Sequence, residues 1–294
     1  MKKVWFGLLL PFILLLPSAF PAAAAHYEIK KVSDSVYAAI ALPNGKAGSN
    51  AMIIISEYHV ILAGAHFVPE AVKELLEDIS QITYFPLREV ILTHHHSGFN
   101  YIDLDLPANA SIFTSWQTWR ALNSEYRRVK NPVTVFENAL TLQRGKLSIV
   151  LSNTGKGHST GDVIVYVPSE DVLFTSDLVF NGVVGYMGNG YMRDWALNLE
   201  MIQSINAATI IPGVGGVTDG RGVSGFLVFL RDFLTEVLLH VERGENLAQM
   251  KKGFSLPRYQ DLPGYKTFFN VNIERAYGEF KSDSILHRQE NSGD

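Results

Sequence analysis

Glu89-Val90-Ile91-Leu92-Thr93-His94-His95-His96 decides the reading of this chain. A short run rich in β-branched and apolar residues predicts a buried strand, and it empties directly into three consecutive histidines. Side chains alternate along extended backbone, so His94 and His96 fall on one side and His95 on the other. Two imidazoles at that spacing suit one metal ion, and they equally suit a polar loop without one. A third candidate stands in Gly155-Lys156-Gly157-His158-Ser159-Thr160-Gly161-Asp162. The glycines let that loop turn tightly and aim His158 inward. Phe174-Thr175-Ser176-Asp177 then brings a carboxylate to the end of another apolar run.

Outward from the histidines, the pattern is strand-rich. Residues 27–32, 36–41, 51–55 and 59–63 are predicted strands, with Pro43-Asn44-Gly45 as a turn. Pro69 opens an amphipathic helix whose Ala71, Val72, Leu75, Leu76 and Ile79 share a face, before strand 89–92. Strand 111–114 leads into a helix over 116–129 whose Arg120, Arg127, Arg128 and Lys130 form a solvated basic face. A second β-rich block covers 133–151, 163–167 and 172–175, followed by a Gly- and aromatic-rich loop at 185–191. Helix 195–205, strand 209–211, a long helix over 225–241 ended by Gly244 and a helix over 269–280 complete the pattern, with a frayed tail after Ser282.

Composition limits the chemistry. The 294 residues contain nine His and no Cys, which excludes thiol catalysis, disulfides and cysteine-type zinc sites, so any metal sits on His and carboxylates. A net charge of −4 supplies no basic field for nucleic acid, and a small-molecule substrate is the expected partner. Lys2-Lys3, an apolar run over 4–16 and Ala23-Ala24-Ala25 predict a secretory signal peptide over residues 1–25. The apolar run is shorter than the roughly 20 residues a membrane span needs, so no stable span is expected after cleavage. The remaining 26–294 is expected to form one domain with a C-terminal helical region from about 222, exported to a bacterial periplasm or secreted.

The ordered motifs resemble those of the metallo-β-lactamase-fold superfamily. The resemblance rests on Thr93-His94-His95-His96, the loop 155–162, Leu173-Phe174-Thr175-Ser176-Asp177 and Ile210-Ile211-Pro212-Gly213-Val214-Gly215. It implies an α/β fold of four layers, αββα, with a metal site at one edge of the sandwich. It also implies His94, His96, His158 and Asp177 as ligands of one zinc or other divalent ion. The superfamily's ligands for a second metal are replaced by Gly98, Phe99 and Val214, so a second site is expected to be absent. The implied activity is hydrolysis of an ester, amide, lactone or thioester by a metal-activated hydroxide, with Asp177 left as the catalytic group that orients the nucleophile or moves its proton. The alternative is a catalytically degenerate binding protein on the same fold, without metal.

Other residues carry smaller expectations. Gly157-His158-Ser159-Thr160-Gly161 fits the Gly-x-Ser-x-Gly elbow of serine hydrolases, with Asp177 and then His240 or His287 as partners, although the flanking β pattern lacks the helix such an elbow requires. His95 is expected to pack behind the ligands, and Asp162 to anchor its own loop. His59, His240 and His287 are expected on the surface or on helix faces, and His66 in a loop near the site. Tyr186, Tyr191 and Trp195 either wall a pocket or cap a core.

Overall fold

A computed structural model describes residues 25–65, 68–96, 106–125 and 129–290, with side chains to residue 282. The signal-peptide segment, His66, Gly98, Phe99, Arg127, Arg128 and the side chain of His287 lie outside the described residues.

Twelve strands form two sheets among the described residues. The first runs β1 (Tyr27–Lys31), β2 (Val36–Ala41), β3 (Ala51–Ile55), β4 (Val60–Gly64), β5 (Leu87–Leu92), β6 (Ser111–Ser115) and β7 (Val133–Phe136), in sequence order across the sheet. Its first three pairings are antiparallel and its last three parallel. The second sheet is ordered β12 (Thr209–Val214), β11 (Val172–Phe180), β10 (Asp162–Val167), β9 (Leu147–Gly155), β8 (Ala139–Arg144), with β11 and β12 parallel.

Alternation along the strands builds the layers. Met52, Ile54, Ile61, Ala63 and Ile91 of the first sheet join Val163, Val165, Phe174 and Ile211 of the second in one buried core between the sheets. Their neighbours Ile53, Leu62, Val90 and Leu92 face the other way, onto helix α1 (Pro69–Ile82) and helix α2 (Trp116–Ser124). Likewise Ile164, Leu173 and Ile210 pack outward against α3 (Met192–Ile205), α4 (Gly220–Glu242), α5 (Leu247–Gly253) and α6 (Tyr265–Glu290). Helices therefore cover both outer faces, giving the four-layer αββα sandwich.

Several boundaries differ from the sequence expectation. Helix α2 stops at Ser124, and Val129 is not helical. Strand β11 continues past Thr175 to Phe180, because register shifts on either side of Ser176 let it bulge and continue. Strand β12 reaches Val214, tolerating Pro212 because it is the edge strand. Helix α6 extends to Glu290 where a frayed tail was expected, and α5, a short helix with an Asn246/Gln249 capping box, was not anticipated.

The α1 contact tests this layering. Leu75 is fully buried and Glu77 on the same helix is exposed. Leu75→Ala is expected to lower the unfolding free energy by about 2–5 kcal/mol in chemical denaturation, and Glu77→Ala to change it by less than about 0.5 kcal/mol.

Candidate metal centre

Three imidazoles meet at one end of the sandwich. His94 and His96 leave the end of β5, and His158 comes from the loop joining β9 to β10; all three are buried. One nitrogen of each lies within 4.8 Å of the others. The His96 and His158 Nε2 atoms are 2.6 Å apart, and the three rings pack edge to face with centroids 4.6–5.0 Å apart. Asp177 Oδ2 completes the cluster, 3.6 Å from His94 Nε2 and 3.5 Å from His158 Nε2. The structure thus brings His94, His96, His158 and Asp177 together, and His95 turns away as expected, its Nε2 2.7 Å from Glu125 Oε1.

Each member is held by its own neighbours. Thr93 Oγ1 and Ser176 Oγ, themselves 2.8 Å apart, face His94 Nδ1 at 3.3 and 3.4 Å. Hydroxyls there can accept from an Nδ1 proton and leave the Nε2 lone pair turned into the cluster. His158 rests edge-on against Trp195, with ring centroids 5.1 Å apart. Trp195 is fully buried and donates its indole N–H to Leu178 O at 2.9 Å, so it supports the site from the core. Tyr186 instead stands exposed beside His96, at the mouth.

Asp177 depends on backbone that only the tertiary structure reveals. Ser176, just before it, has φ +49°, the left-handed region unusual for a residue with a side chain, and the bulge in β11 surrounds it. Gly213 on β12 lies directly against it: a Cβ at that position would be 2.2 Å from Asp177 Oδ1 and 2.5 Å from its backbone N. Asn50, which the sequence did not flag, ties the same corner together. Its backbone N–H donates to Gly213 O at 2.7 Å, and its side chain donates to Pro212 O and Gly215 O, both at 2.8 Å, while accepting from Ala41 N–H. An Asn before an apolar strand is too ordinary a signal to have been singled out.

Asp162 anchors the His158 loop, as expected. Its carboxylate accepts from Ser159 N–H at 3.0 Å and Ser159 O–H at 2.7 Å. Complete burial outweighs those bonds and pushes its pKa up to about 7. The Ser159 hydroxyl is therefore committed to Asp162, and the elbow is flanked by antiparallel strands with no departing helix. These contacts overturn the serine-nucleophile reading. His240 cannot serve it either: contrary to the surface expectation it is buried on α4, between Glu236 and Glu245. His59 is also half-buried, beside Glu89, which bonds Arg144. Arg120 is solvent-exposed on α2, as expected; Lys130 is exposed too, but it lies past the end of the helix and not on the basic helix face expected for it.

His96, His158 and Asp177 of the cluster line a cavity of about 380 Å³. Its walls come from the β2–β3 turn, the 183–186 loop and residues 263–268, and Val214 lies among them.

Comparison with known proteins agrees with this architecture. The sequence profile of the metallo-beta-lactamase superfamily matches residues 107–214, a stretch that includes His158 and Asp177. Metallo-beta-lactamase type 2 of Elizabethkingia meningoseptica is 24% identical over 213 residues, covering 69% of this chain and 84% of that protein. The protein of the same description from Bacillus sp. (strain 170) is 24% identical over 202 residues, 65% and 75% of the two chains. The solved structure of a metallo-beta-lactamase from Pontibacter korlensis superposes with a TM-score of 0.61 at 22% identity, over 70% of this chain and 99% of that one. This chain has the metallo-β-lactamase fold. The fold expected from its motifs is the fold observed.

Two substitutions test how this chain builds its site. Gly213→Ala is expected to push β12 off Asp177 and cost about 1–3 kcal/mol in denaturation, whereas Gly216→Ala, which meets nothing within 4 Å, is expected to change stability by less than about 0.5 kcal/mol. The raised Asp162 pKa makes the folded chain hold a proton that the unfolded chain has lost between about pH 4 and 7. Its contribution to stability is present below that window and lost as pH rises through it, so a denaturation series should show this slope in the parent and its absence in Asp162→Asn.

Proposed function

We propose that the protein is an exported metal-dependent hydrolase using a single divalent ion, zinc in the first instance, at His94, His96 and His158 with Asp177 alongside. The observation that carries this reading is the convergence of three buried imidazoles and one carboxylate on a common point at the base of a cavity. The donor set suits a borderline-soft divalent ion, and a buried carboxylate among imidazoles calls for positive charge that such an ion supplies. When bound, the ion would provide Lewis acidity, polarising a carbonyl and lowering the pKa of water toward about 7.

The rest is done by the chain. His94, His96 and His158 fix the ion's position on rigid neighbours, and Asp177 Oδ2 faces the same point, placed to orient the nucleophile and hold its proton. Val214 presents an alkyl group where the superfamily resemblance puts a second-site ligand, which supports one ion over two. Ester, amide, lactone and thioester carbonyls all fit this chemistry, and the relatives' printed name adds the β-lactam amide to the classes to be assayed. The export signal over residues 1–25 is part of the same proposal. No helix among the described residues is long and apolar enough to cross a membrane.

Elemental analysis after dialysis against zinc separates this reading from a metal-free binding protein. About one equivalent in the parent, lost in His94→Ala/His158→Ala, is the expected result; equal, sub-stoichiometric metal in both would overturn it. Asp177→Asn is expected to slow turnover of an activated ester by roughly 10²-fold or more, in line with loss of a proton-handling group.

A further inference from the structure

The cavity above the histidines is built with one kind of lining. Leu42 from the β2–β3 turn, Phe180 and Val214 from β11 and β12, Val184 from the loop after β11 and Phe268 from α6 all line it. Among its described lining residues Asp177 is the sole acid, and none is Lys or Arg. Away from the histidine cluster such a surface offers no charge complement to an anionic group, so the positive charge of a bound ion would be confined to the floor beside Asp177. Stripping water from an anion here would go uncompensated, whereas an alkyl or acyl arm would be favoured by the apolar area it covers.

The walls are locked together before any ligand arrives. Val184 N–H donates to Pro263 O at 2.8 Å, and Gly264 adopts φ +81° with its Cα so near that a Cβ would lie 2.1 Å from Val184 O. The Phe268 ring, one turn into α6, meets Tyr186 at 6.2 Å between centroids. This side belongs to the C-terminal region, beyond the residues that the superfamily profile matches. A cavity of 380 Å³ corresponds to about a dozen water-sized groups, enough for a medium-length chain together with its carbonyl.

We infer that the site takes a neutral carbonyl compound bearing an apolar arm, with the arm lodged against Leu42, Val214 and Phe268 and the carbonyl at the histidine cluster. The assignment of the carbonyl rests on the hydrolase reading, while that of the arm rests on the cavity. Phe268 and Leu42 then act as specificity residues: they touch the arm and take no part in bond breaking.

The test uses the full chain, zinc-loaded and metal-free in parallel, titrated calorimetrically with straight-chain primary amides from butanamide to octanamide. Suberic acid monoamide, as long as octanamide but ending in a carboxylate, is the charged counterpart. Affinity is expected to rise roughly threefold per added methylene, and in the metal-free chain the terminal carboxylate is expected to weaken binding at least about tenfold relative to octanamide. Phe268→Ala and Leu42→Asn should each flatten the chain-length series with zinc content unchanged. A flat series in the parent, or suberic acid monoamide binding the metal-free chain as tightly as octanamide, would overturn the inference. Absence of octanoyl-ester turnover with the amide series intact would count against the hydrolase reading and leave the arm's site standing, so the two failures are distinguishable.

Discussion

The apolar core shared by the two sheets is the constraint on which everything else depends. Met52, Ile54, Ile61 and Ile91 on one side and Val163, Val165, Phe174 and Ile211 on the other fix how the sheets face each other. Once that face-to-face register is set, the end of β5, the loop before β10 and the middle of β11 have no choice but to meet. A one-residue slip in any of these strands would turn its core residues outward and carry its functional side chain with them. The position of the histidines is thus a by-product of burying aliphatic surface.

The polar edge of that core is costly, and the chain offsets the cost locally. Thr93 and Ser176 satisfy each other's hydroxyls behind His94, Asp162 gathers the Ser159 donors, and Asn50 takes up backbone groups on both sides of the corner at Gly213. Ser176 carries the strain, held in left-handed backbone so that the bulge can direct Asp177 at the imidazoles. Strain confined to one residue beside a cluster of convergent groups is a pattern expected where geometry serves chemistry.

Much of this was legible from residues alone. Alternation gave most strand positions, and the His94/His96 spacing, the glycine-framed His158 and the resemblance of the ordered motifs pointed to the four residues that the structure brings together. What stayed hidden is non-local. The extension of β11 depends on a bulge supported by β12, and the role of Asn50 depends on a partner more than 160 residues away. Burial of His240 arises from helix packing that the sequence does not display, because a histidine on a helix face looks the same whether water or Phe254 lies beyond it. The Ser159 elbow shows the reverse error: a five-residue pattern satisfied by chance, overruled by a hydroxyl committed to its own loop.

The central claim is one metal ion held by three imidazoles beside Asp177. Anomalous diffraction at the zinc absorption edge, from crystals grown with zinc, tests it most directly. The account predicts a single strong peak bounded by His94, His96, His158 and Asp177. No peak at that point, or a second peak of equal strength beside Val214, would contradict it.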